Sequence, residues 1–173
     1  TGKPKGVEIV HRGVVRLVRN ANYVRLDEGS RLVQNASVSF DAATFEIWGS
    51  LLNGGQLVVM QGHEGISAEL GAVLQRHEVN VLWLTSSLFN LLVENHHEHL
   101  RGVEQLLVGG EALSVPHIHR ALELLPGTEL INGYGPTENT TFTCCYRIER
   151  RHYAGSIPIG RPISNTEVLI VDK

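Results

Sequence analysis

The residues best suited to chemistry lie in one short stretch. The run Glu129-Leu130-Ile131 leads into Asn132-Gly133-Tyr134-Gly135-Pro136-Thr137-Glu138. Gly133 and Gly135 flank an aromatic ring and permit positive φ and close backbone approach. Pro136 fixes φ and removes a donor. The expected product is a stiff loop at a strand end that projects Tyr134, Thr137 and Glu138 together. An aromatic face, a hydroxyl that can meet phosphate and a carboxylate that can meet a metal suit a nucleotide with Mg²⁺. An ordinary turn with a buried tyrosine is the plainer reading of the same residues.

Other clusters carry less. Thr1-Gly2-Lys3-Pro4-Lys5-Gly6 offers a hydroxyl, ammonium groups and backbone N–H groups for a pyrophosphate. It is not a G-x-x-x-x-G-K-[ST] loop, and by itself it reads as a solvated end. His96-His97-Glu98-His99 has no partner Cys or Asp ligands and reads as solvated surface. His117 and His119 are two apart on a helix and face different ways. No Gly-x-Ser-x-Gly elbow and no placed Cys–His pair support a covalent nucleophile.

Elements must hold these residues in place. Alternation over Gly6–His11 predicts a strand, and apolar spacing predicts a helix from about Arg12 to Tyr23. Strands follow over Arg31–Phe40, Gln56–Met60 (buried), Val79–Leu84, Gln105–Val108 and Thr128–Asn132. Helices separate them over Ala43–Leu52, from Ser67, from Thr85-Ser86-Ser87 to about Asn95, and from Ser114-Val115-Pro116 to Leu125. Such alternation predicts an α/β fold, a mainly parallel sheet with helices on both faces. Ligands of such sheets bind beyond the carboxyl ends of strands. Asp41, Trp83, Gly109-Gly110 and Gly133-Tyr134 all fall at predicted strand ends, so several ends offer one crevice. After Glu138 the character changes. Thr140–Ile148 and Thr166–Val171 read as strands joined by the stiff Ile157–Pro162, the start of an antiparallel β subdomain. The expected division is therefore 1–138 for the α/β core and 139–173 for the next subdomain.

Composition bounds the rest. The chain has 173 residues, 42% of them hydrophobic, with net charge −3. That fits one compact soluble domain and gives no footprint for nucleic acid. Cys144 and Cys145 are adjacent, no disulfide framework, and read as small apolar strand residues in a reducing cytoplasm. No run approaches the ~20 apolar residues of a membrane span, and there is no signal peptide. The abrupt glycine-lysine opening and the strand-like close suggest a piece of a longer protein.

Several stretches match one family together. Thr1-Gly2-Lys3-Pro4-Lys5-Gly6-Val7 resembles the tail of the phosphate-loop motif of adenylate-forming enzymes. Phe40-Asp41-Ala42-Ala43-Thr44-Phe45-Glu46-Ile47-Trp48, Asn132–Glu138 and Gly155-Ser156-Ile157-Pro158-Ile159-Gly160-Arg161-Pro162 are similar to consecutive motifs of amino-acid adenylation domains in nonribosomal peptide synthetases. Order and spacing fit, and the resemblance covers the whole chain.

The resemblance implies a reaction. An amino-acid carboxylate attacks the α-phosphate of ATP, giving aminoacyl-AMP and pyrophosphate, and the aminoacyl group then passes to a carrier domain's phosphopantetheine thiol. It implies that Thr1, Gly2, Lys3 and Lys5 belong to a loop over the β- and γ-phosphates. Asn132 and the backbone at Gly110-Glu111-Ala112 and Gly133 would hold adenine, with Tyr134 stacked on it. Thr137 would contact the α-phosphate and Glu138 would ligate Mg²⁺. The amino-acid pocket would comprise Asp41, Ala42, Phe45, Trp83, Leu107, Gly109, Gly133, Thr141 and Phe142, with a further lysine beyond the chain. Asp41 would pair with the substrate ammonium, although an Asp before a helix is as readily its cap. The apolar remainder is similar to pockets of valine-activating domains. The upstream half of the phosphate loop, the ribose-binding Asp motif and the catalytic lysine are absent. Implied partners are the amino acid and the carrier and condensation domains of one synthetase. The alternatives are a catalytically inert core subdomain that binds substrate, or an acyl-CoA synthetase, which Asp41 disfavours.

Overall fold

The computed structural model describes residues 5–60 and 66–172, and the side chains of residues 66–68 are left aside. Thr1, Gly2 and Lys3 therefore lie outside the described residues. Among the described residues five α-helices and seven strands follow one another: α1 (His11–Val18), β1 (Arg31–Gln34), α2 (Ala42–Leu51), β2 (Gln56–Val59), α3 (Ile66–Arg76), β3 (Val81–Thr85), α4 (Ser86–Asn95), β4 (Gln105–Gly109), α5 (Val115–Leu124), β5 (Glu129–Tyr134), β6 (Cys144–Arg147) and β7 (Arg161–Pro162). They form one sheet in the order β2-β1-β3-β4-β5-β6-β7. The first five strands pair in parallel, while β6 and β7 add antiparallel to the β5 side. The first antiparallel strand predicted after Glu138 thus holds β6, which continues the same sheet, whereas β7 falls in the expected linker Ile157–Pro162.

The pleat sorts the apolar residues into two cores. Leu32, Val81, Leu107 and Ile131 point to one face, where they meet Leu17 and Val18 of α1 and Phe45 of α2. Their chain neighbours Val33, Leu82, Leu106 and Leu130 point to the other, against Leu70 of α3, Phe89 and Leu92 of α4 and Ile118 of α5. Strands buried on both faces carry near-continuous apolar runs, which is why β3 and β4 show no alternation in sequence. Helix starts follow local chemistry. The Thr85 hydroxyl accepts a hydrogen bond from the Leu88 amide, and Pro116 sits in the first turn of α5.

Four expectations change. Residues 6–10 form no strand; they are exposed, and alternation without a neighbouring strand leaves backbone groups unpaired. The first helix stops at Val18, before Asn20 at φ 51°. Strand β1 ends at Gln34, so Asp41 follows a loop and not a strand end. Residues 166–171 are not a strand, and Leu169 and Ile170 are almost fully exposed. In addition, β2 is an edge strand with Val59 in solvent, not a buried one.

Candidate functional site

β5 delivers Asn132 and Gly133 buried and Tyr134 exposed. The chain then makes a 3₁₀ turn over Thr137–Asn139, on which Thr137 and Glu138 stand in solvent. It returns through Thr140 and Thr141 to β6, which pairs back onto β5. The expected positive φ is not at Gly133 or Gly135. It falls on Thr140 and Thr141, at 54° and 64°. The glycines instead allow close approach. A Cβ on Gly135 would stand 2.5 Å from the Thr141 carbonyl oxygen, and one on Gly133 would stand 2.6 Å from the Phe142 ring. The loop closes tightly because both positions lack a side chain.

The register gathers the expected pocket residues on one face. Trp83, Leu107 and Ile131 form one row across the sheet, and Thr85, Gly109 and Gly133 form the next. Phe142 packs on Phe45 with ring centroids 5.5 Å apart, and meets Tyr23 edge-on at 5.7 Å. The Tyr23 hydroxyl donates to the Leu17 carbonyl at 2.7 Å, and burial pushes its pKa up. Ala42, Phe45, Leu107, Thr141 and Phe142 are all buried, so they make a solid floor. The glycines leave no room there: the ring of Phe142 covers Gly133, and the Gly133 carbonyl fills the space beside Gly109. Trp83 is only partly buried, yet its indole N–H is buried with no acceptor among the described residues.

Asp41 stands at the N-terminus of α2, but its carboxylate makes no capping hydrogen bond. Among the described residues no ion pair involves it. Its carbonyl accepts from the Thr141 hydroxyl at 2.8 Å, which joins the start of α2 to the loop after Glu138. The segment before Asp41 is held by Glu46, a residue without an expected role. Its buried carboxyl accepts from the amides of Asn35 and Ala36 at 3.0 to 3.2 Å. Burial outweighs those hydrogen bonds and raises its pKa to about 8. A lone acid on the otherwise uncharged α2 is the available signal.

The residues expected around adenine are placed as follows. Gly110 has φ 90° with open space beside it, and Gly110, Glu111 and Ala112 are exposed. Buried Ser86 pins this turn, donating to the Gly109 and Glu111 carbonyls at 3.3 and 3.1 Å. Asn132 is buried, and its amide donates to the Pro158 carbonyl at 2.8 Å, which ties the loop to the Gly155–Pro162 stretch. Lys5 is exposed. The exposed ring, hydroxyl and carboxylate of Tyr134, Thr137 and Glu138 are free to meet a nucleotide and a hard cation, a donor set that fits Mg²⁺. A cleft of about 770 Å³ lies beside them, lined by Glu138, Asn139, Thr140 and the arginines 12, 16 and 19, and by none of the expected pocket residues.

The histidines divide as their spacing implied. His117 engages Glu94 and Ser114, and His119 accepts from the Tyr153 amide. His96, Glu98 and His99, read as solvated surface, bring their donor atoms within 4.8 Å of one another at the end of α4. Cys144 and Cys145 are free and buried in β6, and burial raises both thiol pKa values. Among the described residues no helix is long and apolar enough to cross a membrane.

The AMP-binding enzyme family matches residues 1–173. A linear gramicidin synthase of Brevibacillus parabrevis is 56% identical over 174 residues, covering 100% of this chain and 2% of that protein. Gramicidin S synthase 2 of Brevibacillus brevis is 47% identical over 174 residues, covering 100% of this chain and 4% of that protein. The N-terminal subdomain of Klebsiella oxytoca NpsA, solved with anthranilyl-AMSN, superposes with a TM-score of 0.92 at 29% identity, over 100% of this chain and 45% of that one. Holo-PA1221, an NRPS protein containing adenylation and PCP domains, superposes with a TM-score of 0.87 at 44% identity, over 94% of this chain and 28% of that one. The chain thus spans a small share of the curated synthetases it matches. It belongs to the AMP-binding enzyme family, and its mostly parallel seven-stranded sheet is that of the N-terminal subdomain of adenylation domains.

Proposed function

We propose that this chain is the amino-acid-binding core of a nonribosomal peptide synthetase adenylation domain. The whole enzyme is an ATP-dependent ligase that converts an amino acid to aminoacyl-AMP and pyrophosphate. It then hands the aminoacyl group to the phosphopantetheine thiol of a carrier domain, with condensation domains in the same synthetase. The observation that carries this reading is Asp41: a carboxylate at a helix N-terminus that neither caps the helix nor pairs with a cation among the described residues, beside an apolar floor. A substrate ammonium supplies the missing partner through a charge-assisted hydrogen bond. An acyl-CoA synthetase substrate has no ammonium to offer.

In this reading Tyr134 stacks on adenine, with the turn at Gly110-Glu111-Ala112 and the Asn132-Gly133 backbone around it. The Thr137 hydroxyl holds the α-phosphate, and the Lys5 loop, with Thr1, Gly2 and Lys3, covers the outer phosphates. Glu138 holds Mg²⁺, which supplies neutralisation of phosphate charge when bound. Position and fixed dipoles are the protein's contribution. Residues 1–138 carry these groups, and the antiparallel addition over 139–173 leads toward the next subdomain. Free buried cysteines accord with a cytoplasmic setting.

The substrate is L-valine. Beyond Asp41 the pocket set offers no charge, and Phe45, Trp83, Leu107 and Phe142 set a shallow floor. A polar side chain would lose hydration with little return. Isoleucine is the rival, because one methylene in an apolar pocket is worth only about 1–3 kcal/mol. Pyrophosphate exchange by the intact synthetase across all amino acids decides it. A preference for an aromatic, charged or amide side chain would overturn the assignment.

A second reading is favoured by one observation. The NpsA N-terminal subdomain holds anthranilyl-AMSN as a subdomain. By analogy this chain, separated from the remainder, binds substrate without turnover.

A further inference from the structure

Helix α1 supplies none of the residues expected to hold the amino acid or the nucleotide, yet it grips the loop that completes the site. Arg16 projects from α1 into the turn after Glu138. One guanidinium nitrogen donates to the Phe142 carbonyl at 3.1 Å and to the Thr166 hydroxyl at 2.7 Å. Another donates to the Asn139 and Thr140 carbonyls at 2.5 and 3.3 Å. Gly13, three residues earlier on the same face of α1, makes the approach possible: a Cβ there would stand 2.6 Å from the Thr140 hydroxyl. Among the described residues no carboxylate pairs with Arg16. Its hydrogen bonds go to backbone carbonyls and one hydroxyl.

The gripped segment needs holding. Thr140 and Thr141 are consecutive β-branched residues with φ of 54° and 64°. Such residues leave the left-handed region unless their surroundings fix them there. Phe142 follows directly, and its ring covers Gly133 and packs on Phe45. The Thr141 hydroxyl reaches the Asp41 carbonyl. A shift at Thr140 therefore moves the pocket floor and the start of α2 together.

We propose that Arg16 is a positioning residue for amino-acid selection: its forked contacts to residues 139–142 hold Thr141, Phe142 and, through Thr141, the Asp41 end of α2 in the substrate-binding arrangement. The proposal rests on the reading of those residues as the amino-acid pocket. Arginine is needed because its planar fork meets several carbonyls at once, which a single ammonium does not.

The test uses the intact synthetase with Arg16→Met and Arg16→Lys. Arg25→Ala, which loses exposed pairs with Asp27 and Glu104, is the control. Pyrophosphate exchange gives KM for amino acid and for ATP, and the valine-to-isoleucine ratio. Hydrogen exchange follows the amides of Phe142 and Thr143, which donate to the Thr140 and Tyr134 carbonyls. Arg16→Met is expected to raise KM for the amino acid about tenfold or more and to erode the ratio. KM for ATP should change much less, and exchange at both amides should quicken. Arg16→Lys should show the same changes at smaller amplitude, and it stands in if Arg16→Met does not fold. A folded variant with wild-type amino-acid KM, ratio and loop exchange overturns the proposal. So does a loss confined to kcat that follows the folded fraction. If the wild-type enzyme selects a quite different substrate class, the pocket reading fails instead, and quickened loop exchange still reports the clamp.

Discussion

Glu46 gives a stability signature that can be worked from the structure. Its carboxyl is buried beneath the 35–36 loop, with a pKa of about 8 against an ordinary 4.5. The folded state therefore binds this proton more tightly than the unfolded chain does. Its contribution to stability is fully present below about pH 4.5, falls as pH rises toward 8, and is lost above that. Within the window the slope is about 1.4 kcal/mol per pH unit, which sets an upper bound on the order of 5 kcal/mol. Relaxation of the loop toward water reduces that figure. Glu46→Gln keeps an oxygen to accept from Asn35 and Ala36 and removes the charge. Urea denaturation of the intact adenylation domain at pH 5, 7 and 9 should show the variant close to wild type at pH 5. At pH 9 it should be more stable by roughly 1–5 kcal/mol. Taking the difference between variant and wild type cancels other titrating groups. A difference independent of pH, or a variant less stable at pH 9, would refute the burial argument.

Three further outcomes are expected. Asp41→Ala should weaken binding of the amino acid far more than binding of its des-amino analogue, since only the former offers an ammonium; equal losses in calorimetry would defeat the pairing. Glu138→Gln keeps shape and removes charge, so it should lower adenylation more than amino-acid binding and shift the Mg²⁺ dependence of exchange; an unshifted dependence with lost amino-acid binding would count against the metal role. Gly133→Ala puts a methyl 2.6 Å from the Phe142 ring, an overpacking that should cost about 1–3 kcal/mol in denaturation and disturb amino-acid KM; a neutral result would show that Phe142 can yield.

The sequence carried the architecture wherever a local rule governed it. Thr85 capping α4, Pro116 opening α5 and the apolar runs of β3 and β4 were readable because each acts within a few residues. It failed where a partner far along the chain decides. Residues 6–11 and 166–171 alternate as strands do, yet no neighbouring strand among the described residues pairs with them. Val38 and Phe40 suggest a strand before Asp41, but both are exposed in a loop that Glu46 holds from below. The motif residues of the site were legible by type, and the sheet register brings Trp83, Leu107, Gly109 and Gly133 to one face. Glu46, Ser86 and Arg16 were not, because their importance lies in which distant carbonyls or amides they meet.

In the proposed reading, the glycine-rich motif joins two halves of one reaction through a single backbone path. Tyr134, Thr137 and Glu138, the groups proposed to meet a nucleotide, are exposed, while Asn132, Gly133, Thr140, Thr141 and Phe142 are buried. The switch from one set to the other occurs within ten residues, so neither half can move alone. Gly133 is bounded by Phe142, and Gly135 by the carbonyl of Thr141, so the outgoing and returning chains touch where the nucleotide side passes into the amino-acid side. Altering side-chain selection by enlarging the space at Phe142 would therefore also loosen the segment that carries Glu138. The floor residues farther from this path, Trp83 and Leu107 on the central strands, can be varied with less effect on the nucleotide groups. Trp83 is the better of the two, because its buried indole N–H has no acceptor among the described residues and its replacement by phenylalanine removes an unpaired donor.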